Sequence, residues 1–163
     1  MDNTLANEVA DHWEKEEIPI DDLLFMRVSK NHIKGNEIQL IAFKKNINPS
    51  TPQSKPGLST EWVRYSSPQQ CRQNVALFKH AKTGLPKDPS NYEVVQFIVR
   101  DIIAIPNQTV EHTPIYQPTL APPVLIQAHT DIFGEDEIDN KENEVQARLE
   151  LSKIWRQAMP FGK

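Results

Sequence analysis

A chain of 163 residues with 38% hydrophobic and 25% charged side chains can bury one core without staples, and its single cysteine, Cys71, excludes an internal disulfide framework or a cysteine-rich zinc site. No stretch approaches the roughly 18 consecutive apolar residues of a membrane span, and the start Met1-Asp2-Asn3 has neither part of a secretory leader, so a cytoplasmic protein without a membrane partner is expected. The net charge of −4 lacks the basic footprint of a nucleic-acid binder, and the aromatic residues do not interleave with bases as a stacking platform would, so nucleic acid is not an expected partner.

Leu5, Val9 and Trp13 recur at helical spacing and predict a helix over 4–17, stopped by Pro19. The apolar run 23–28 predicts a first strand, the turn at Gly35-Asn36 a second strand over 37–43, and the proline-rich stretch 46–57 a surface loop. A strand or extended arm follows over 57–65. Ser67, Pro68 and Gln70 then mark a helix start, and the helix carries Cys71, Val75 and Phe78 on one face and ends at Gly84 and Pro86. Residues 92–105 have the apolar density of a central strand, with a passage into a helical turn after Arg100 equally compatible. Two more strands are predicted over 109–115 and 124–132. The last helix, over 140–159, sets Ala147, Leu151, Ile154, Trp155 and Ala158 on one stripe, so Trp13 and Trp155 are both expected to be substantially buried. The expected fold is α+β: a single domain over 1–163 with a mainly antiparallel sheet of five or six strands, a compact core over 23–133 and acidic flanking helices.

Charge is segregated along the chain. Residues 1–22 carry eight acids and one Lys, residues 23–130 six acids and twelve Lys or Arg, and residues 131–163 eight acids and five bases. Either the acidic ends compensate a basic sheet internally, or Arg27, Lys30, Lys34, Lys44 and Lys45 attract an anion such as a nucleotide, a phosphate or an acidic protein surface.

The elements Leu24-Phe25, Arg27-Val28, Ala42-Phe43, Leu58-Ser59-Thr60-Glu61-Trp62, Tyr65-Ser66-Ser67-Pro68, His112-Thr113-Pro114 and Ala128-His129 resemble those of a loosely defined group of small uncharacterised bacterial proteins. These share a strand Arg, a Leu-Ser element before a Ser/Thr-Pro helix start, and later His-x-Pro and Ala-His elements. The likeness covers 23–133 and implies a bacterial origin and one compact domain, but no reaction. Gln69-Gln70, where the group tends to carry acids, and the long 46–57 loop depart from it.

Two miniatures, Glu111-His112-Thr113 and Ala128-His129-Thr130-Asp131, lie in predicted strands. Two-histidine phosphoesterases place His and Ser/Thr two apart on one face; here Thr follows His directly, which turns the pair to opposite faces. His129 and Asp131 do have same-face spacing, and with His112 would supply two imidazoles and one carboxylate of a facial metal triad, but no histidine follows Asp131 as those sites require, so no metal is expected. Cys71 stands in a first helical turn, where the helix dipole lowers a thiol pKa, but on an apolar stripe, where burial makes it inert. Arg27 in an apolar strand needs an anion, supplied internally by a carboxylate such as Glu111 or externally by a ligand. The expected function is therefore a non-enzymatic binding module, without cofactor, for a protein partner or small anionic ligand. Its expected ligand-binding residues are Arg27, Ser59, Trp62, Tyr65, His112 and His129, with Arg27, Ser59, Trp62 and His112 on one concave surface. The alternative is a nucleotide-processing enzyme with an ADP-ribosyltransferase-like site, using Arg27, Ser59, Thr60 and His112 as catalytic residues.

Overall fold

Along β1 (Leu23–Ser29), Leu24, Met26 and Val28 alternate with Phe25, Arg27 and Ser29, so one face is wholly apolar and the other takes a charge at its centre. The computed structural model describes residues 13–47, 55–137 and 139–162. After β1 come a short hairpin of β2 (Ile33–Lys34) and β3 (Glu37–Ile38), then β4 (Gly57–Trp62), α1 (Pro68–Gln73), β5 (Tyr92–Ile98) and α2 (Val99–Ile103). The chain continues through β6 (Gln108–His112), β7 (Ile115–Gln117), β8 (Val124–Ile126), β9 (His129–Gly134), α3 (Lys141–Leu151) and β10 (Arg156–Gln157). One antiparallel sheet has the order β10-β5-β1-β4-β9-β6, with β7 and β8 forming a separate hairpin. This is an α+β domain, and no helix among the described residues is long and apolar enough to cross a membrane.

The two faces of the sheet have different covers. Leu24, Met26, Val28, Leu58, Trp62 and Phe97 face a core closed by Phe43, Ile102 and Leu151, contributed by the 3₁₀ turn Leu40–Phe43, α2 and α3. On the other face, Phe25 and Val94 pack on Cys71 of α1. Next to them, Leu77 and Phe78 pack against the β7–β8 hairpin.

Several sequence expectations need correction. Only Glu37–Ile38 of the expected 37–43 strand is extended; the next residues coil into the 3₁₀ turn, which drops Phe43 into the core. The helix opened by Ser67, which accepts the Gln70 N–H at 3.1 Å, leaves α geometry after Gln73. A 3₁₀ turn, Asn74–Leu77, carries the stripe on. The expected 109–115 and 124–132 strands are each broken in two, after His112 and after Ile126. The last helix ends at Leu151 rather than 159. Beyond it, Arg156 and Gln157 pair with Gln96 and Val95 as the sixth strand, and Trp155 is half-buried, stacked on Phe161 at 6.1 Å. Of the expected 4–17 helix, residues 4–12 lie outside the described residues, 13–17 are not helical, and Trp13 is half-buried against the edge of Tyr116.

Candidate functional site

The register of β4 decides where its side chains go. Pairing of Phe25 with Glu61 puts Glu61 on the Arg27 face of the sheet, and pairing of Glu61 with His129 and of Ser59 with Asp131 continues that polar stripe across β9. Thr60 and Trp62 therefore point the other way. Arg27 meets Glu61 at 2.5 Å and donates from the same nitrogen, Nη1, to the Cys71 carbonyl oxygen at 2.9 Å. Glu61 is only 1% exposed, and its second oxygen accepts from Ser66 Oγ at 2.8 Å and Asn74 Nδ2 at 2.9 Å. The anion that Arg27 requires is thus Glu61 and not Glu111, and four donated hydrogen bonds stabilise the pair against the cost of burying it. Burial pushes the Cys71 thiol up to about 12 despite the neighbouring guanidinium, so it has no nucleophilic character at neutral pH.

Further along β9, His129 Nδ1 lies 2.9 Å from the Thr113 carbonyl oxygen, and Thr113 Oγ1 donates to Asp131 Oδ2 at 2.9 Å. Burial pushes His129 down to about 4. Burial likewise raises the Asp131 carboxyl to about 6, and its Oδ1 is enclosed without a hydrogen-bond partner among the described residues.

β1 and β4 pair only at Leu24–Trp62 and Phe25–Glu61, whereas β1 stays paired with β5 to Ser29 and β4 stays paired with β9 to Gly57. Past Phe25 the centre of the sheet opens, and a cleft of about 450 Å³ occupies the seam. Arg27, Ser59 and His129 line it, as do Lys44, Lys87 and His32. Its lining among the described residues contains no carboxylate. All hydrogen bonds of the Arg27 guanidinium to described residues fall on Nη1, and its central carbon lies 5.6 Å from the centroid of the Phe78 ring. Apolar walls come from Met26, Val28 and Leu58 on one side and from Val75 and Phe78 on the other. A second cavity of about 360 Å³ beside α3 has the opposite character, with Asp136 and Glu150 among amides such as Asn107 and Gln146.

The sequence-expected site residues divide into two groups. Arg27, Ser59 and His129 share the seam cleft. Trp62, Tyr65 and His112 form an aromatic cluster apart from it: the His112 ring meets Trp62 edge-on at 5.2 Å and lies roughly parallel to Tyr65 at 6.2 Å. His112 accepts the Glu16 N–H at Nδ1 (3.0 Å) and donates from Nε2 to the Gln127 carbonyl oxygen (2.6 Å), which fixes it as a neutral structural imidazole. Trp62 Nε1 donates to Asp22 at 2.8 Å, and Tyr65 hydroxyl donates to Glu16. Thr60 is buried, donating to the Thr130 carbonyl oxygen at 2.9 Å. The expected common surface for Arg27, Ser59, Trp62 and His112 does not form, and the four candidate catalytic residues do not converge. The two His-Thr miniatures do pair, but His112 sits opposite Thr130, so the imidazoles fall on opposite faces. No cluster of three metal-binding side chains occurs among the described residues.

Of the five cations singled out from charge alone, Lys44 lines the cleft, Lys45 is buried against both oxygens of Glu137 at 3.0 Å, and Lys30 is 3.6 Å from Glu93. Lys34 is exposed on β2. Lys87 and His32 were not foreseen, because each arrives from a turn whose position only the tertiary fold sets. Comparison with protein families, with curated proteins and with solved structures finds no match for this chain.

Proposed function

We propose that the chain is a binding module that holds an anionic ligand in the seam between β1 and β4. The observation that carries this reading is the charge of the cleft lining: Arg27, Lys44 and Lys87, with no carboxylate among the described lining residues. Arg27 is neutralised by Glu61, but its Nε–H and second amino group make no hydrogen bond with the described residues, and the planar donors of a guanidinium suit a carboxylate or phosphate. Lys44 and Lys87 make no ion pair with the described residues, although Lys44 adds to Arg148 in holding the Glu144 carboxyl below its ordinary range. The low-dielectric walls concentrate that field on whatever occupies the seam. A binding role also accords with the chemistry beside the cleft, where the Cys71 thiol is inert and Glu61 is saturated with donors.

Isothermal calorimetry with pyrophosphate and with a small dicarboxylate tests the reading. Saturable binding that weakens as salt rises, and that is lost in the Lys44→Glu/Lys87→Glu variant, is expected. Absence of heat with both anions, or equal binding by the charge-reversed variant, would overturn it.

A further inference from the structure

The walls of the seam carry backbone as well as side chains, and the backbone specifies the ligand further. In a strand, successive residues direct their N–H and C=O groups to alternate sides. Leu23 accepts the Val63 N–H across the β1–β4 seam at 3.0 Å, so Leu23, Phe25, Arg27 and Ser29 all turn their backbone groups toward β4. The ladder to β4 stops at Phe25–Glu61. Among the described residues no strand takes up the backbone groups of Arg27 and Ser29 on this side of β1, the side of the cleft. On the facing wall, Gly57 already demonstrates what this space accepts: its N–H and C=O exchange hydrogen bonds with Asn46 at 2.9 and 3.1 Å, an isolated antiparallel bridge formed by an incoming extended residue.

We infer that the ligand of this cleft is an extended, acidic peptide segment that adds to the open edge of β1 at Arg27 and Ser29. This rests on the anion reading of the same site and names the class of anion. Pairing with the β1 edge supplies affinity through main-chain hydrogen bonds, the mode by which strands are added to sheets. An added strand sends its side chains alternately to the two faces of the sheet. The cleft lining holds Met26 and Val28, at the edge of the core, with Lys44 after the core-side 3₁₀ turn on one face of the sheet, and Phe78 with Lys87 on the other. Each wall thus offers an apolar contact with a cation beyond it, which a segment of two apolar side chains followed by two acidic ones complements, since residues two apart share a face. A compact anion would use the cations and leave the backbone edge unused.

The test is fluorescence anisotropy on the full chain with labelled hexapeptides in which pairs of Glu alternate with pairs drawn from Val, Leu and Phe, with twins N-methylated at alternate amides in either phase, and with pyrophosphate as competitor. Binding of unmodified peptides is expected, with displacement by pyrophosphate. One methylation phase should weaken binding by about tenfold or more, as loss of inter-strand hydrogen bonds requires, and the other phase much less. Equal affinity of both methylated twins and the parent overturns strand addition. Pyrophosphate binding without binding of any peptide overturns the peptide inference and leaves the anion reading standing. Binding of neither overturns both.

Discussion

His129 and Asp131 stand 3.9 Å apart on the same face of β9, and Thr113 joins them by contacting both. Burial moves the two groups in opposite directions, His129 from 6.5 to about 4 and Asp131 from 3.8 to about 6, so at pH 5 the pair is neutral imidazole beside neutral carboxylic acid. The consequences for stability oppose each other. Asp131, raised on folding, contributes stability that is complete below pH 3.8 and is lost as pH rises through 6. His129, lowered on folding, contributes stability that is complete above pH 6.5 and is lost as pH falls through 4. Between pH 4 and 6 the slopes cancel. Asp131→Asn removes one of them, so the variant should lose on the order of 1 kcal/mol of stability per pH unit, relative to the parent, as pH falls from 6 to 4. Urea unfolding at half-unit pH steps measures this; identical pH profiles would contradict the assignment.

The Arg27–Glu61 pair makes a different prediction, because breaking a buried pair and replacing it are not equivalent. Glu61→Ala strands a guanidinium that is 14% exposed and removes the acceptor of Ser66 and Asn74, so a loss of about 3–5 kcal/mol is expected. Arg27→Met/Glu61→Leu should recover most of it, since both charges leave together. Denaturant midpoints of the single and double variants decide; a double variant no more stable than Glu61→Ala would show that the loss has another origin.

Gly57 opens β4 at the bottom of the cleft, and a Cβ there would lie 2.7 Å from Asp131 Oδ1 and 2.8 Å from a Phe133 ring carbon. Both neighbours are buried, so neither can swing away cheaply. Gly57→Ala should therefore destabilise the fold by about 1–3 kcal/mol, visible as a drop of several degrees in Tm. An unchanged Tm would mean that the seam widens freely at this end.

Much of the fold was legible in the sequence where short-range signals and the tertiary fold agree. The Ser67 cap, the Pro68 start and the first strand at the apolar run 23–28 are local statements, and each holds. Spacing misled where it was compatible with two structures. Ile154, Trp155 and Ala158 fall on a helical stripe, but the chain gains more by extending to pair with β5 than by a further turn of helix. The site was half legible: an Arg in an apolar strand announces a buried anion partner, and Ser59 follows from its position on β4. That Glu61 would answer Arg27 depends on the β1–β4 register, and that Lys87 and His32 would reach the same cleft depends on where two turns land, neither of which has a local sequence signature.

Whether the seam between β1 and β4 is the ligand site is decided by a ¹⁵N–¹H correlation titration of the whole chain with pyrophosphate. Saturable shifts are expected at Arg27, Ser29, Lys44, Asn46, Ser59 and Lys87, with the amides of Asn107 and Gln146 in the acidic cavity unmoved. Shifts centred on Asn107 and Gln146, or scattered over surface lysines without saturation, would contradict it.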